Sequence, residues 1–298
     1  MLKEKYSIFT IQGGAGKNVL ATAVIKALKK SEPDRKIIIL TAYKDVWLYN
    51  PNVYRIYTFG NTPNFYKDYI EQDNDIKIYN LEPYSSSDYI LSKKHLIEVW
   101  CDLYHIEYDD EMPELFFNQR ELEYATRKYE LNKGPILLIQ SNGGSPQEMK
   151  YSWMRDMPHK TSIELANYYS KSHRVIQVRR EDQIQIPNIE SFNGNLRELM
   201  ILIKYSANRV FIDSFCQHVA AALNLKSTVL WIRNKPEMLG YNIHDNIVTS
   251  VKDELDIPSD DPFNKYNILG DIYQCPFKEG TELFDTEDII NSINNQSK

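Results

Sequence analysis

The chain opens twice with a β-strand, a glycine turn and a helix, and this repeated opening limits its folds more than any other feature. Tyr6-Ser-Ile-Phe-Thr-Ile11 is a short β-prone run, and Gln12-Gly-Gly-Ala-Gly16 is a tight turn. Residues 18–30 then carry Leu20, Val24, Ala27 and Leu28 at helical spacing. Pro33-Asp34 stops that helix, and Lys36-Ile-Ile-Ile-Leu-Thr41 reads as a buried strand. A β–α–β unit of this kind implies parallel neighbours joined by a right-handed crossover. The second opening is Pro135-Ile-Leu-Leu-Ile-Gln140 followed by Ser141-Asn-Gly-Gly-Ser145. Gly is scarce, 11 in 298 residues. Gly13, Gly14, Gly16, Gly143 and Gly144 all fall in these two turns, where the backbone must pass close to something.

The same alternation continues behind each opening. In the first half, strands are expected at 53–57 and 76–81, and helices at 94–104 and 119–129. In the second, strands are expected at 174–178, 209–212 and 227–232, and helices at 162–170, 195–206 and 217–223. A last helix over 285–293 is expected to be capped by Asp285 or Thr286, and is placed back on the N-terminal unit as one option. The breaker Lys133-Gly134-Pro135 sets the expected boundary, giving domains 1–132 and 133–298. The pattern specifies an α/β protein of two doubly wound, Rossmann-like parallel sheets.

Charge and composition remove other classes. The net charge is −6, with 41 acidic and 35 basic residues, so stable nucleic-acid binding is not expected. Cys101, Cys216 and Cys275 are widely spaced and odd in number, which suits reduced thiols in the cytoplasm. The first residues lack a signal-peptide pattern, and no run reaches the roughly 18 apolar residues of a membrane span.

Three segments can carry chemistry. Gln12-Gly-Gly-Ala-Gly-Lys-Asn18 resembles a phosphate loop, yet Ile11 stands where the first Gly belongs and Asn18 where Ser or Thr would hold Mg²⁺. A plain strand-to-helix turn accounts for it equally well. Ser141, Asn142, Gly143, Gly144 and the later Lys150 follow the first strand of the second half, at the edge where open α/β sheets bind ligands. Asp213-Ser214 ends a buried strand, and a helix of small residues with His218 in its first turn follows directly. Singly, Asp213 reads as a helix cap and His218 as a packed helix histidine. His95 and His105 lie among Tyr and Trp, where packing or a hydrogen bond explains them. Asp109-Asp-Glu111 reads as a solvated loop, and the 21 Tyr as either sugar-stacking or sheet-margin packing.

Taken together, these segments resemble the family 9 glycosyltransferases, whose members include ADP-heptose:lipopolysaccharide heptosyltransferases. The turn, the run VLATAVIKALKKSEPDRKI and the later NPNVYRIY are similar to that family's N-terminal pattern. Asp213-Ser214-x-x-x-His218-x-Ala220-Ala221-Ala222-Leu223 is similar to its donor motif, with Phe215 in place of a Gly. Phe192-Asn-Gly194 and Leu196-x-Glu198-Leu199 are similar to the approach to that motif. The resemblance implies a GT-B fold and metal-independent, inverting transfer of a heptose or hexose from a nucleotide diphosphate sugar, with no cofactor. It implies a donor site of Ser141, Asn142, Gly143, Gly144, Lys150, Asp213, Ser214 and His218. It implies an acceptor-side loop of Gly13, Gly14 and Gly16, a glycan or lipid-linked acceptor, and a cytoplasmic setting, with peripheral contact at the inner face of a membrane as an option.

One departure matters for the chemistry. The family's proposed general base is an Asp on the first turn, and Lys17 stands in its place. A protonated Lys cannot take a proton from a hydroxyl. The candidate catalytic residues are therefore Lys17, Asp88 and His95, with Glu82 as a further replacement carboxylate. Two other readings stay open: a phosphate-loop ATPase or switch built on Gly13–Lys17, and a catalytically silent nucleotide-sugar-binding protein.

Overall fold

The computed structural model describes residues 3–143, 151–251 and 275–297. The first sheet comprises β1 (Lys5–Ile11), β2 (Lys36–Thr41), β3 (Arg55–Thr58) and β4 (Asp75–Tyr79), in the order β3-β2-β1-β4 with every pair parallel. The order reverses beside β1: the chain first winds outward to β3, then returns to lay β4 on the other side. The C-terminal ends of β1 and β4 therefore splay around a crevice, where open α/β sheets bind ligands.

The crossover from β1 to β2 is α1 (Ala15–Ser31). Its Val19, Leu20, Ala23, Val24, Ala27 and Leu28 are buried, and Lys29 and Lys30 sit in the last turn, favourably placed against the helix dipole. Helix α2 (Ser87–Ile90) is short, and α3 (Leu96–Leu103) packs beside α1 on one face of the sheet. Among the described residues no full helix covers the opposite face. Tyr6, Ile8, Ile38, Tyr57 and Tyr69 form a small cluster there, closed by the β3–β4 connection and its one π-helical turn, Tyr66–Ile70.

Helix α4 (Gln119–Lys128) and Gly134, at φ +88°, lead into the second sheet. Its elements in chain order are β5 (Ile136–Ile139), α5 (His159–Tyr169), β6 (Arg174–Gln177), β7 (Glu190–Ser191), α6 (Leu196–Tyr205) and β8 (Asn208–Ile212). They continue with α7 (Phe215–Ala222), β9 (Thr228–Trp231), α8 (Pro236–Leu239) and β10 (Asp245–Val248). The order β10-β9-β8-β5-β6-β7, all parallel, is the Rossmann arrangement, with its switch point between β5 and β8. The two-residue β7 and the half-exposed β10 have too little apolar pattern to stand out in the sequence.

The two sheets share one core. A single buried cluster contains Phe9 and Ile37 from the first sheet, Leu138 and Phe211 from the second, and residues of α1, α3, α6 and α7 between them. Two capping boxes reinforce this layer: Asn118 with Glu121 starts α4, and Asn195 with Glu198 starts α6. Both box carboxylates also bind across the helix layer. Glu121 receives the guanidinium of Arg197 at 2.9 Å, and Glu198 receives Lys128 at 2.7 Å and the Tyr129 hydroxyl at 2.9 Å. Arg197 also donates to the carbonyls of Asp45 and Phe116, and lies over the ring of Phe117. These bonds hold the first and second sheets in one relative position.

The last helix, Thr286–Asn294, is capped by Asp285 and lies on α5, β8 and β9. Ile289 and Ile293 are fully buried in the outer core of the second sheet. The option that this helix reaches back to the N-terminal unit is therefore corrected: its apolar stripe is used up on the second sheet.

Candidate functional site

The two crevices face each other across a cavity of about 900 Å³. Gly14, Gly16, Lys17, Tyr43, Tyr84 and Tyr89 come from the first half. Gln140, Asn142, Gly143, Arg155, Asp213, Ser214, Phe215, His218 and Asn234 come from the second. The N-termini of α1 and α7 both open here. Neither Gly14 nor Ser214, their N-cap residues, supplies a side-chain cap, so the first backbone N–H groups of both helices are left for other acceptors.

On the second-sheet side, the buried carboxylate of Asp156 shapes the β5 loop. It accepts from the N–H of Gly143 at 2.8 Å, from Asn142 at 3.1 Å and from the N–H of Ser152 at 2.8 Å. A Cβ on Gly143 would sit 2.6 Å from Arg155 Nε, so the Arg155 side chain passes close over the loop and would have to shift for any larger residue there. Asp213 is buried, and burial raises its carboxyl pKa against the opposing pull of the Asn234 amide and the Arg155 charge. Ser214, not Asp213, stands at the N-cap position of α7, but its hydroxyl is turned to the Gln140 amide, from which it accepts at 3.2 Å, and leaves the helix end uncapped. Arg179 also lines the cavity, but its guanidinium is spent on the carbonyls of Arg180, Glu181 and Gln183.

On the first-sheet side, Lys17 is buried and both oxygens of Glu82 hold its ammonium, at 2.6 and 2.5 Å. Glu82 lies just past β4, the strand beside β1 at the switch point. The rings of Tyr84 and Trp100 flank the ammonium with centroids 5.1 and 5.2 Å away. Burial lowers the Lys17 pKa and the Glu82 carboxylate partly restores it. Asn18 does not face the cavity. Its carbonyl accepts from Thr41 at 2.6 Å and from the Trp47 indole at 3.1 Å, and its amide donates to Gly14 O at 3.1 Å. A residue so engaged inside the helix layer cannot stand in for a Mg²⁺-holding Ser or Thr, and Lys17 is turned to Glu82.

Helices α1 and α7 touch at Gly16. A Cβ there would lie 3.0 Å from His218 Cδ2 and 3.5 Å from Phe215 Cα. Gly16→Val is expected to force the two helix ends apart, at a cost of roughly 1–3 kcal/mol from overpacking. A thermal melt checks this, with a lowered midpoint as the expected result.

His95, His218 and His244 surround Tyr241, with ring centroids 5.6, 5.6 and 5.8 Å from it. Burial pushes His95 and His244 down to about 4 and His218 down to about 3, so all three are neutral near pH 7. In the unfolded chain they take up protons below about 6.5. Stability is therefore full above that value and falls as pH drops from 6.5 towards 4. The expected loss for His218 and for His244 is on the order of 2 kcal/mol each by pH 5. Urea midpoints at pH 7 and pH 5 measure it, and equal midpoints would contradict it.

The cavity brings together Gly14, Gly16, Lys17, Asn142, Gly143, Asp213, Ser214 and His218. Gly13, at φ +93°, shapes the turn beside it, and Ser141 is buried behind Asn142. Gly144 and Lys150 lie outside the described residues. Asp88, His95 and Glu82 are not part of the cavity wall, and Glu82 meets it only through Lys17. Asp88 pairs with Lys93 at 3.2 Å in the first turn of α2, and His95 Nδ1 caps α3 by accepting from the N–H of Ile97 at 3.2 Å. Glu111, read as solvated, is instead buried and accepts from the N–H of Asp109 at 2.7 Å. Arg155, Tyr84, Asn234 and Tyr241 were missed. Arg155 alone had a local signal, lying two residues past Trp153 at the end of the glycine loop.

No protein-family model and no curated protein matches the chain by sequence. Solved structures match it by shape. A family 9 glycosyltransferase from Veillonella parvula superposes with a TM-score of 0.71 at 13% identity, over 99% of this chain and 98% of that one. The E. coli ADP-heptose lps heptosyltransferase II gives 0.64 at 15% identity, over 89% and 98%. The iron-containing dodecameric glycosyltransferase TibC of enterotoxigenic E. coli gives 0.60 at 13% identity, over 99% and 77%. With its two parallel sheets facing one cavity, this chain has the GT-B fold that these glycosyltransferases share.

Proposed function

We propose that the chain is a glycosyltransferase that moves a sugar from a nucleotide diphosphate sugar to a hydroxyl acceptor. The observation that carries this reading is the cavity at the β5–β8 switch point, where the uncapped N-terminus of α7, Arg155 and His218 meet. Those groups suit a diphosphate: helix N–H groups and a guanidinium stabilise the negative charge that grows on it as the sugar leaves. The volume is within the usual range for a small-ligand site. TibC, of similar fold, has been solved in complex with ADP-D-β-D-heptose, which supports an ADP-linked heptose or hexose as donor.

The base follows from the first-sheet side. Lys17 occupies the position where a carboxylate was expected, and Glu82 brings a carboxylate to the Lys17 ammonium. In this reading Glu82 takes the proton from the acceptor hydroxyl, whose oxygen attacks the anomeric carbon from the face opposite the diphosphate. The bond from that carbon to the diphosphate oxygen breaks, and the configuration inverts. Lys17 orients Glu82, and Tyr43, Tyr84 and Tyr89 offer ring faces and hydroxyls to the sugars. The acceptor is proposed to be a glycan or lipid-linked sugar, met in the cytoplasm or at the inner membrane face. Among the described residues no helix is long and apolar enough to cross a membrane.

Calorimetry against ADP-, GDP- and UDP-sugars tests the reading. Saturable binding of one nucleotide class is expected, and silence from all three would count against it. Mg²⁺-dependent ATP turnover lost in Lys17→Ala would favour the ATPase reading instead.

A further inference from the structure

The hydroxyl of Tyr241 lies 3.0 Å from Nδ1 of His218, and both side chains are buried. The tyrosine O–H is a donor out of reach of bulk water, and leaving such a donor unpaired is costly. His218 Nδ1 is the acceptor the structure offers it. If Nδ1 carried the proton, it would donate to the phenol oxygen and leave the phenol hydrogen without an acceptor. The bond therefore runs from Tyr241 to His218, and the neutral imidazole keeps its proton on Nε2. The Gln217 amide nitrogen is near both ring nitrogens, at 3.2 and 3.3 Å; one of its two N–H groups goes to Leu239 O at 2.9 Å, and the other is nearest Nδ1, where it adds a second donor to the same acceptor. The Cδ2–Nε2 edge of His218 faces Gly16 and the cavity between the two helix N-termini.

We propose that Tyr241 is a positioning residue that fixes His218 as a neutral Nε2–H donor aimed at the phosphate-binding end of the cavity. The ligand class is an anionic diphosphate, so the inference rests on the transferase reading for its purpose, but not for its geometry. His95 and His244 hold the Tyr241 ring in place from two further sides. His244 is itself fixed, with Nδ1 3.0 Å from Ser227 Oγ and Nε2 donating to Gln217 O at 2.9 Å. The hydroxyl that selects the tautomer is thus carried on a ring packed by both halves of the molecule.

The test is nitrogen NMR of histidine-labelled protein at pH 7, with the His218 signals assigned by their loss in His218→Asn. The expected wild-type spectrum shows an acceptor Nδ1 and a protonated Nε2. Tyr241→Phe keeps the ring and removes the hydroxyl. It is expected to give mixed His218 tautomers and about tenfold weaker binding of ADP by calorimetry. A protonated Nδ1 in the wild type would overturn the proposal, as would unchanged tautomer and ADP affinity in Tyr241→Phe. The wild-type spectrum decides the question even where the variant fails to fold. An Nε2–H tautomer in a protein that binds no nucleoside diphosphate would support the hold of Tyr241 on His218 and overturn the transferase reading.

Discussion

Glu82→Gln is expected to lower the rate of sugar transfer by about 10²–10⁴-fold, the usual contribution of a positioned general base. The amide still accepts one hydrogen bond from Lys17 but can no longer take a proton. Glu82 is not part of the cavity wall around Arg155 and Ser214, so affinity for a nucleoside diphosphate is expected to hold. The fall should therefore appear in kcat, with little change in the donor KM. The variant also strips Lys17 of its opposite charge. The loss of stability should stay below the roughly 3–5 kcal/mol of a fully buried pair, because the Glu82 side chain is 40% exposed. Lys17→Met provides the control. It keeps the carboxylate and loses only its orientation, so its rate should fall less than that of Glu82→Gln. An unchanged rate in Glu82→Gln would remove Glu82 from the mechanism.

The second large effect is expected at Arg155. Its guanidinium lies on Gly143 and its charge reaches Asp213, at the same end of the cavity as the uncapped start of α7. A hydrogen bond to a charged group contributes about 1.5–3 kcal/mol, so Arg155→Met should weaken ADP binding by roughly 10–100-fold. Met fills similar space over Gly143, which limits the cost in stability. Arg155→Lys should recover only part of the affinity, since a point charge cannot reproduce the planar fork. Calorimetry on the three proteins checks both statements. Equal affinities would place the diphosphate elsewhere.

How much of this was legible in the sequence depends on how local the information is. The strand–turn–helix units at Ile11–Ala15 and Ile212–Phe215 were readable because apolar spacing and turn residues lie within a few positions of each other. That fixed the fold class and put Asp213, Ser214 and His218 at one sheet edge. Asp88 and His95 could be named only as polar groups in the right region. The structure gives Asp88 to Lys93 and His95 to a helix cap, pairings made by a turn geometry that periodicity does not report. Glu82 was among the candidates, but its tie to Lys17 spans 65 positions and depends on β4 lying beside β1. Arg155 and Asn234 sit in loops that reach the cavity, and Tyr241 in one that reaches His218, only through the second sheet's strand order. The last helix showed which of its faces is apolar, but not that α5 and β9 would cover it.

The central claim is that a diphosphate binds where α7 begins. The most direct measurement is a crystal structure of the protein soaked with a nucleoside diphosphate. The diphosphate is expected against the N–H groups after Ser214, beside Arg155 and His218. A diphosphate lying instead on the Gly13–Lys17 turn, with Lys17 drawn away from Glu82, would contradict it and turn the reading towards a phosphate-loop protein.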